Sequence, residues 1–101
     1  MRSEETLRGS LLKRTPLGSS FEQVEAAVQR EGLKNPHFYL NHGFYDQRSS
    51  PAKTVGKASI EATLGEHPWL LLGTEGAYAA WCFDEKYRLI EIIVYKEIDS
   101  L

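Results

Sequence analysis

The spacing of apolar residues in the first third of the chain predicts two helices. In the first, residues 3–14, Leu7 and Leu11 lie one turn apart and mark an apolar face. Acidic residues open this segment and basic residues close it, an order that the helix dipole favours. The helix is expected to end at Thr15-Pro16, because a residue before proline avoids the α region.

The second predicted helix carries signals at both ends. Ser19 and Ser20 each precede a Glu or Gln by three residues, which is the spacing of a capping box. Apolar residues then recur on one helical face between Phe21 and Val28. Gly32 stands where many helices end in a left-handed residue, and Leu33 can then pack back on the helix.

Beyond residue 37 the apolar period changes to two, which indicates strands. The predicted strands cover residues 38–45, 57–64, 77–83 and 88–98. Residues 46–56 are polar and predict an exposed loop. Residues 69–72 are apolar and suit either a strand or an irregular segment of the core.

Alternation along these strands predicts which side chains share a face. In the first strand, Phe38 and Phe44 are assigned to the core. In the second, polar residues such as Ser59 and Glu61 are expected to face solvent. In the last strand, one face carries Ile90, Ile92, Val94 and Ile98, and the other carries Leu89, Glu91, Ile93, Tyr95 and Glu97.

These elements predict one α+β domain over residues 1–101, with two N-terminal helices packed on one face of a four-stranded antiparallel meander sheet. The first helix, residues 1–14, is expected to be the more loosely attached. A domain of this size has room for one core and buries about 60–70% of the surface that its unfolded chain exposes.

Charge and composition narrow the classes of partner. The chain has 12 Lys and Arg against 14 Asp and Glu, with no basic cluster. Phosphate contacts dominate nucleic-acid affinity, so nucleic-acid binding is not expected. No apolar stretch approaches the roughly 20 residues of a spanning helix, so membrane insertion is not expected either. The chain as given is expected to be cytoplasmic, or periplasmic if a signal or anchor has been removed from it.

Histidine and cysteine are the candidates for chemistry. His37 and His42 are five residues apart on a predicted strand, so they point to opposite faces and cannot share one metal ion. A His67–Cys82 nucleophilic pair is an alternative, but Cys82 stands between Trp81 and Phe83, where a small buried hydrophobe fits. No metal, cofactor or catalytic residue is therefore expected.

The tyrosines suggest a binding surface instead. If the helices cover one face of the sheet, the opposite face carries Tyr39, Tyr45, Glu91, Ile93 and Tyr95. Tyrosine is enriched in protein interfaces because it offers a large contact area with a polar tip. Exposed tyrosines can also serve only to support cross-strand pairing.

Three sequence segments carry a resemblance to known proteins. They are the helix start Thr15–Val24, the tripeptide Leu64-Gly65-Glu66, and the closing pattern Trp81, Phe83-Asp84 and Arg88-Leu89-Ile90. Together they resemble small bacterial domains of the β-lactamase-inhibitor-protein-like type. That structural group includes the SmpA/OmlA lipoprotein domains, which help assemble outer-membrane proteins. The resemblance implies two helices packed on an antiparallel sheet and a function in binding other proteins.

The sequence thus favours a non-enzymatic protein-binding module of inhibitor, immunity or assembly type, with another protein or a second copy as partner. The alternative is a small-ligand or enzymatic pocket between the sheet and the loop at residues 46–56. That pocket would use His42, His67 or Cys82.

Overall fold

The computed structural model of the chain describes residues 4–64 and 77–96. Within them, two helices, α1 (Glu4–Arg14) and α2 (Phe21–Arg30), precede six strands. The strands are β1 (Lys34–Tyr39), β2 (Phe44–Asp46), β3 (Lys53–Val55), β4 (Ala58–Thr63), β5 (Ala77–Phe83) and β6 (Leu89–Lys96). The predicted segment at residues 69–72 and the predicted strand end at residues 97 and 98 lie outside the described residues.

Four of the strands form one antiparallel sheet in the order β1-β4-β5-β6. This confirms the predicted α+β fold, with N-terminal helices and an antiparallel meander. β2 and β3 pair with each other in a separate two-stranded sheet. This β2–β3 hairpin is inserted between the first two strands of the meander, and the prediction had only a loop there.

We call the side of the sheet that packs on the helices the helix face, and the opposite side the hairpin face. Buried side chains of both helices and of the helix face form one core cluster. Its members are Leu7, Leu11, Phe21, Val24, Val28, Leu33, Ala58, Ile60, Ala62, Leu64, Ala77, Ala79, Trp81, Phe83, Leu89, Ile92 and Val94. The two leucines of α1 thus belong to the core that holds α2 to the sheet.

The ends of α2 are held by local hydrogen bonds. Of the two capping serines that the sequence offers, the structure uses Ser20, whose hydroxyl accepts the Gln23 N–H while the Gln23 side chain accepts the Ser20 N–H. At the other end Gly32 has φ 68°, and Leu33 donates its N–H to the Val28 carbonyl. These bonds confirm the predicted capping box and the predicted glycine ending.

The turn between β5 and β6 depends on Asp84. Its carboxylate accepts the backbone N–H groups of Arg88 and Lys86, at 3.0 and 2.8 Å. These bonds, that of Arg88 first, lower the pKa of Asp84. Tyr87 completes the turn with φ 60°, a left-handed conformation that glycine would adopt more easily.

Two strand assignments were wrong. The predicted strand at residues 38–45 is in fact the end of β1 followed by β2, because the chain turns between them, and Phe44 therefore leaves the core. In β6, Glu91 pairs with Cys82 while Leu89 pairs with Phe83, which leaves one extra residue in a bulge. The bulge reverses the alternation before it. Leu89 is buried and Ile90 is exposed, opposite to the prediction.

Candidate functional site

Two glycines seat the hairpin closely on the sheet. A Cβ at Gly43 would fall far inside contact distance of the backbone carbonyl oxygens of Val55 and Gly56. Gly56 has φ +82°, and a Cβ there would lie 2.6 Å from the carbonyl oxygen of Phe83. Because the backbones approach each other so closely, no larger residue fits either position without displacing the hairpin.

The hairpin closes one end of the hairpin face. The Ser59 hydroxyl of β4 donates to the His42 carbonyl, with 3.2 Å between the oxygens. Ser59, Ala80 and Cys82 have no exposed surface. The expectation that Ser59 faces solvent was wrong, because the hairpin folds back over the side of β4 that the helices leave uncovered.

Three aromatic rings form a ladder beside the hairpin. Phe44 of β2 stacks on Tyr95 of β6, with 5.4 Å between ring centroids, and Tyr95 stacks on Tyr78 of β5 at 5.3 Å. Tyr78 and Tyr95 are cross-strand partners, so their stacking follows from the β5–β6 register, whereas Phe44 is placed by the hairpin. Stacked aromatic pairs contribute about 0.5–1.5 kcal/mol beyond the area that they bury.

A cleft of about 280 Å³ opens between this ladder and the hairpin, and we call it the hairpin cleft. Its lining consists of Phe44, Tyr45, Asp46, Gln47, Arg48, Ile93 and Tyr95. The floor is apolar and the polar groups lie on the hairpin side. Asp46 accepts the backbone N–H of Arg48, which shapes the tip of the hairpin.

Arg48 is held at the rim of the hairpin cleft by a carboxylate from the other side of the molecule. Two of its guanidinium nitrogens donate to Glu4 of α1, at 3.1 and 3.2 Å. The hydrogen bond to Glu4 is the main cause that raises the pKa of Arg48. Arg48 also donates to the Val94 carbonyl of β6 at 3.3 Å. The hairpin tip is therefore tied to both α1 and β6.

The structure brings together three of the five residues assigned to a binding surface. Tyr45, which is 55% exposed, lines the hairpin cleft with Ile93 and Tyr95. Tyr39 lies on β1, at the opposite edge of the sheet, about three strand spacings or roughly 14 Å away. Its ring contacts that of His42 there in a tilted arrangement, with 4.5 Å between ring centroids.

Glu91, the fifth residue assigned to the binding surface, lies at the outer edge of β6 and contacts α1. Its carboxylate forms an ion pair with Arg8 of α1 and accepts the backbone N–H of Ile92. Arg8 in turn donates from Nε to the Ile92 carbonyl at 2.8 Å. Glu91 therefore belongs to a contact between α1 and the sheet edge, not to the lining of the hairpin cleft.

Sequence reasoning missed Phe44 and Tyr78 as members of the site. Phe44 was assigned to the core because its alternation was counted through the turn at residues 40–43, and Gly43 was the only sign of a bend there. Tyr78 was not assigned because its stacking on Tyr95 depends on the β5–β6 register, which the bulge sets. Both lie on the hairpin face beside Tyr95.

The alternative pocket was expected between the sheet and residues 46–56, with His42, His67 or Cys82 as its chemical groups. The hairpin cleft does separate the sheet from residues 46–48, yet neither His42 nor Cys82 lines it. His67 lies outside the described residues. Cys82 is buried as the sequence indicated, and burial, followed by the nearby carboxylates of Glu91, Asp46 and Glu61, raises the pKa of its thiol to about 12. Cys82 is thus a neutral thiol at pH 7.

The raised pKa of Cys82 predicts a loss of stability in alkali. Below about pH 8.5 the thiol is neutral in both states, and its contribution to stability is fully present. As the pH rises toward 12, the unfolded thiol ionises while the folded one does not, so that contribution falls. Relative to Cys82→Ala, the wild-type free energy of unfolding should drop by about 2 kcal/mol between pH 7 and pH 10. Urea denaturation of both proteins at both pH values measures this, and a constant difference would contradict it.

A second, more open cleft of about 410 Å³ lies further along the hairpin face. Its lining consists of Asn35, His37, Glu61, Ala62, Thr63, Tyr78 and Tyr95. Tyr95 lines both clefts and forms the ridge between them. The aromatic ladder is therefore reachable from two sides.

Within residues 4–64 and 77–96, no group of three or more His, Cys, Asp or Glu side chains is arranged to hold a metal ion. Neither α1 nor α2 has the length and apolar character needed to cross a membrane. Comparison of the chain with models of protein families, with curated proteins and with solved structures gives no match.

Proposed function

We propose that this chain is a non-enzymatic protein-binding module, of inhibitor, immunity or assembly type, that binds another protein at the hairpin cleft. The observation that carries the proposal is the aromatic ladder. Phe44, Tyr95 and Tyr78 stack in series on the hairpin face, with Tyr45 exposed beside them. Aromatic side chains held rigidly around a surface depression are typical anchors of protein interfaces.

The exposure of the hairpin cleft supports a protein partner over a small molecule. Pockets that enclose small ligands usually have volumes of about 300–1,000 Å³. The hairpin cleft, at about 280 Å³, is at the lower end of this range, and its wall includes the exposed Tyr45, so it does not enclose a ligand. A depression of this size suits one inserted side chain of a partner, with the surrounding surface making the remaining contacts.

The two edge strands, β1 and β6, are poorly suited to pair with a strand of a partner. This favours binding on the face of the sheet. β1 contains Pro36, which has no N–H to donate, and its pairing with β4 is irregular between Lys34 and His37. On β6, side chains already occupy the outer carbonyls of Ile92 and Val94. Binding other proteins is also the function that the resemblance to the β-lactamase-inhibitor-protein-like domains implies.

The proposal is tested by capture of partners from an extract of the source cells with immobilised protein, followed by quantitative mass spectrometry. A partner that depends on the hairpin cleft should bind Tyr45→Ala about 30-fold more weakly than wild type, because truncation of a central aromatic anchor costs about 2 kcal/mol. Binding of the purified partner to each variant then gives the affinities.

Leu17→Ala is the matched control, because Leu17 is also 55% exposed and does not line the hairpin cleft. It should retain the partner at the wild-type level. If every retained protein binds wild type, Tyr45→Ala and Leu17→Ala equally, the hairpin cleft is not the binding site and the proposal fails.

A further inference from the structure

The more open cleft of the hairpin face, which we call the second cleft, places a carboxylate beside aromatic rings. Glu61 and Thr63 of β4 line it on one side, and Tyr78 and Tyr95 line it on the other. Across the β4–β5 pair, Glu61 lies opposite Ala80 and Thr63 lies opposite Tyr78. Glu61 and Tyr78 are therefore diagonal neighbours on adjacent strands, a separation that long and aromatic side chains can bridge.

The Glu61 side chain is half-buried in the second cleft. Within residues 4–64 and 77–96, its carboxylate forms no hydrogen bond or ion pair. His37, its cross-strand neighbour on β1, stacks on another ring of that strand. Lys34 lies further along β1 and does not line the cleft. Because burial removes part of its hydration, a carboxylate in this position gains from pairing with a cation.

The other carboxylates of the hairpin face are already engaged. Glu91 forms an ion pair with α1, and Asp46 accepts a backbone N–H of the hairpin tip. Burial first, and then the carboxylates of Glu91, Asp46 and Glu61, raise the pKa of the Cys82 thiol beneath this face. The potential at the hairpin face therefore favours a positively charged group, and Glu61 is the carboxylate placed to receive it.

We propose that the second cleft is a subsite for a guanidinium group, carried by an arginine side chain of the protein bound at the hairpin cleft, an assignment that rests on the proposed function. A guanidinium is planar and carries forked N–H donors, so it can pair with the Glu61 carboxylate and lie against a tyrosine ring at the same time. The ammonium of lysine is compact and strongly hydrated, and it lacks this planar match. Arginine is also enriched in protein interfaces.

The two clefts are close enough for one partner to occupy both. Tyr95 lines each of them. Glu61 on β4 and Tyr95 on β6 are two strand spacings apart, roughly 10 Å. A partner that inserts one side chain into the hairpin cleft can therefore place a neighbouring arginine against Glu61.

The decisive variant is Glu61→Gln, which keeps the size of the side chain and removes its charge. The purified partner should bind this variant about tenfold more weakly than wild type. That ratio equals about 1.4 kcal/mol, near the lower end of the coupling between close charge pairs across an interface. The matched control is Glu85→Gln, which removes the same charge from the exposed turn at the other end of β5. The control should bind the partner as wild type does.

The variants separate failure of this subsite from failure of the proposed function. If Tyr45→Ala weakens binding while Glu61→Gln binds as tightly as wild type, the hairpin cleft is the binding site and the guanidinium subsite is overturned. Equal weakening by Glu61→Gln and Glu85→Gln would reflect net charge alone, and it would overturn the subsite as well.

If no partner is captured, the proposed function fails and a small probe tests the second cleft directly. The probe is N-acetylarginine methylamide, titrated into wild type while the amide signals are followed by nuclear magnetic resonance. The signals of Glu61, Thr63 and Tyr78 should shift to saturation, and the shifts should be lost in Glu61→Gln. The citrulline analogue, which has the same shape without the charge, should cause no such shifts. Absence of saturable shifts, or equal shifts with the citrulline analogue, overturns the subsite.

Discussion

Replacing Trp81 by alanine is expected to lower the free energy of unfolding by about 3–5 kcal/mol, the usual cost of truncating a large buried aromatic residue. Trp81 lies in the middle of β5 and is 1% exposed. Its indole N–H donates to the Thr15 hydroxyl at 3.1 Å, and that hydroxyl donates to the Leu11 carbonyl at 2.9 Å. Truncation would therefore open a cavity and also break the link between the sheet and the end of α1.

Trp81→Phe separates the two effects, because it keeps a ring in the core but has no indole N–H. It should cost less than the alanine variant, about 1–3 kcal/mol, because it removes one hydrogen bond to the Thr15 hydroxyl and leaves a smaller cavity. Urea denaturation monitored by circular dichroism gives the free energy of unfolding of both variants. The assignment of Trp81 to the centre of the core would be contradicted if the alanine variant lost less than about 1 kcal/mol, well below the usual cost.

Gly43→Ala is expected to detach the β2–β3 hairpin from the sheet while leaving the helix face folded. The added Cβ would meet two backbone carbonyl oxygens, those of Val55 and Gly56, and neither can rotate away as a flexible side chain would. The Cys82 thiol reports the detachment, because it is fully buried in the seated structure. Its reaction rate with a thiol reagent should rise about tenfold or more, since overpacking costs about 1–3 kcal/mol and 1.4 kcal/mol is a factor of ten.

Gly9→Ala is the control for this experiment, since a Cβ at Gly9 in α1 would meet nothing within 4 Å. It should leave the Cys82 reaction rate unchanged and stabilise the chain by about 0.5–1 kcal/mol through its helix propensity. If Gly43→Ala reacts as slowly as Gly9→Ala, the close seating of the hairpin does not protect Cys82. Gly43→Ala should also weaken partner binding, because the hairpin forms one wall of the hairpin cleft.

The elements that the sequence predicted are those whose causes are local. The start of α2 follows from Ser20 and Gln23, three residues apart, and its end from Gly32. Such signals need no knowledge of the rest of the chain. The alternation of Ile60 with its neighbours likewise identified β4 and its buried side. From these elements the α+β fold with one helix-covered face could be derived.

The candidate site could be predicted only in part. Ile93, Tyr95 and Tyr45 were assigned to the face away from the helices, and all three line the hairpin cleft. Tyr39 was assigned with them, although it lies at the other edge of the sheet. Alternation along a strand specifies the face on which a side chain lies. It does not specify how far across the sheet the side chain lies, because that depends on the order in which the strands pair.

By itself, the sequence determined where most of the helices and strands lie and which sides of them are apolar, since both follow from spacings of two to four residues. Only the tertiary structure decided what covers the hairpin face of the sheet. The β2–β3 hairpin buries Ser59 and Cys82 and places Phe44 on Tyr95 through contacts between residues far apart in the chain. A polar segment at residues 46–56 indicates only exposure, whereas its seating depends on two glycines meeting backbone from other strands. For that reason the fold could be predicted from local pattern, and the aromatic ladder and its cleft could not.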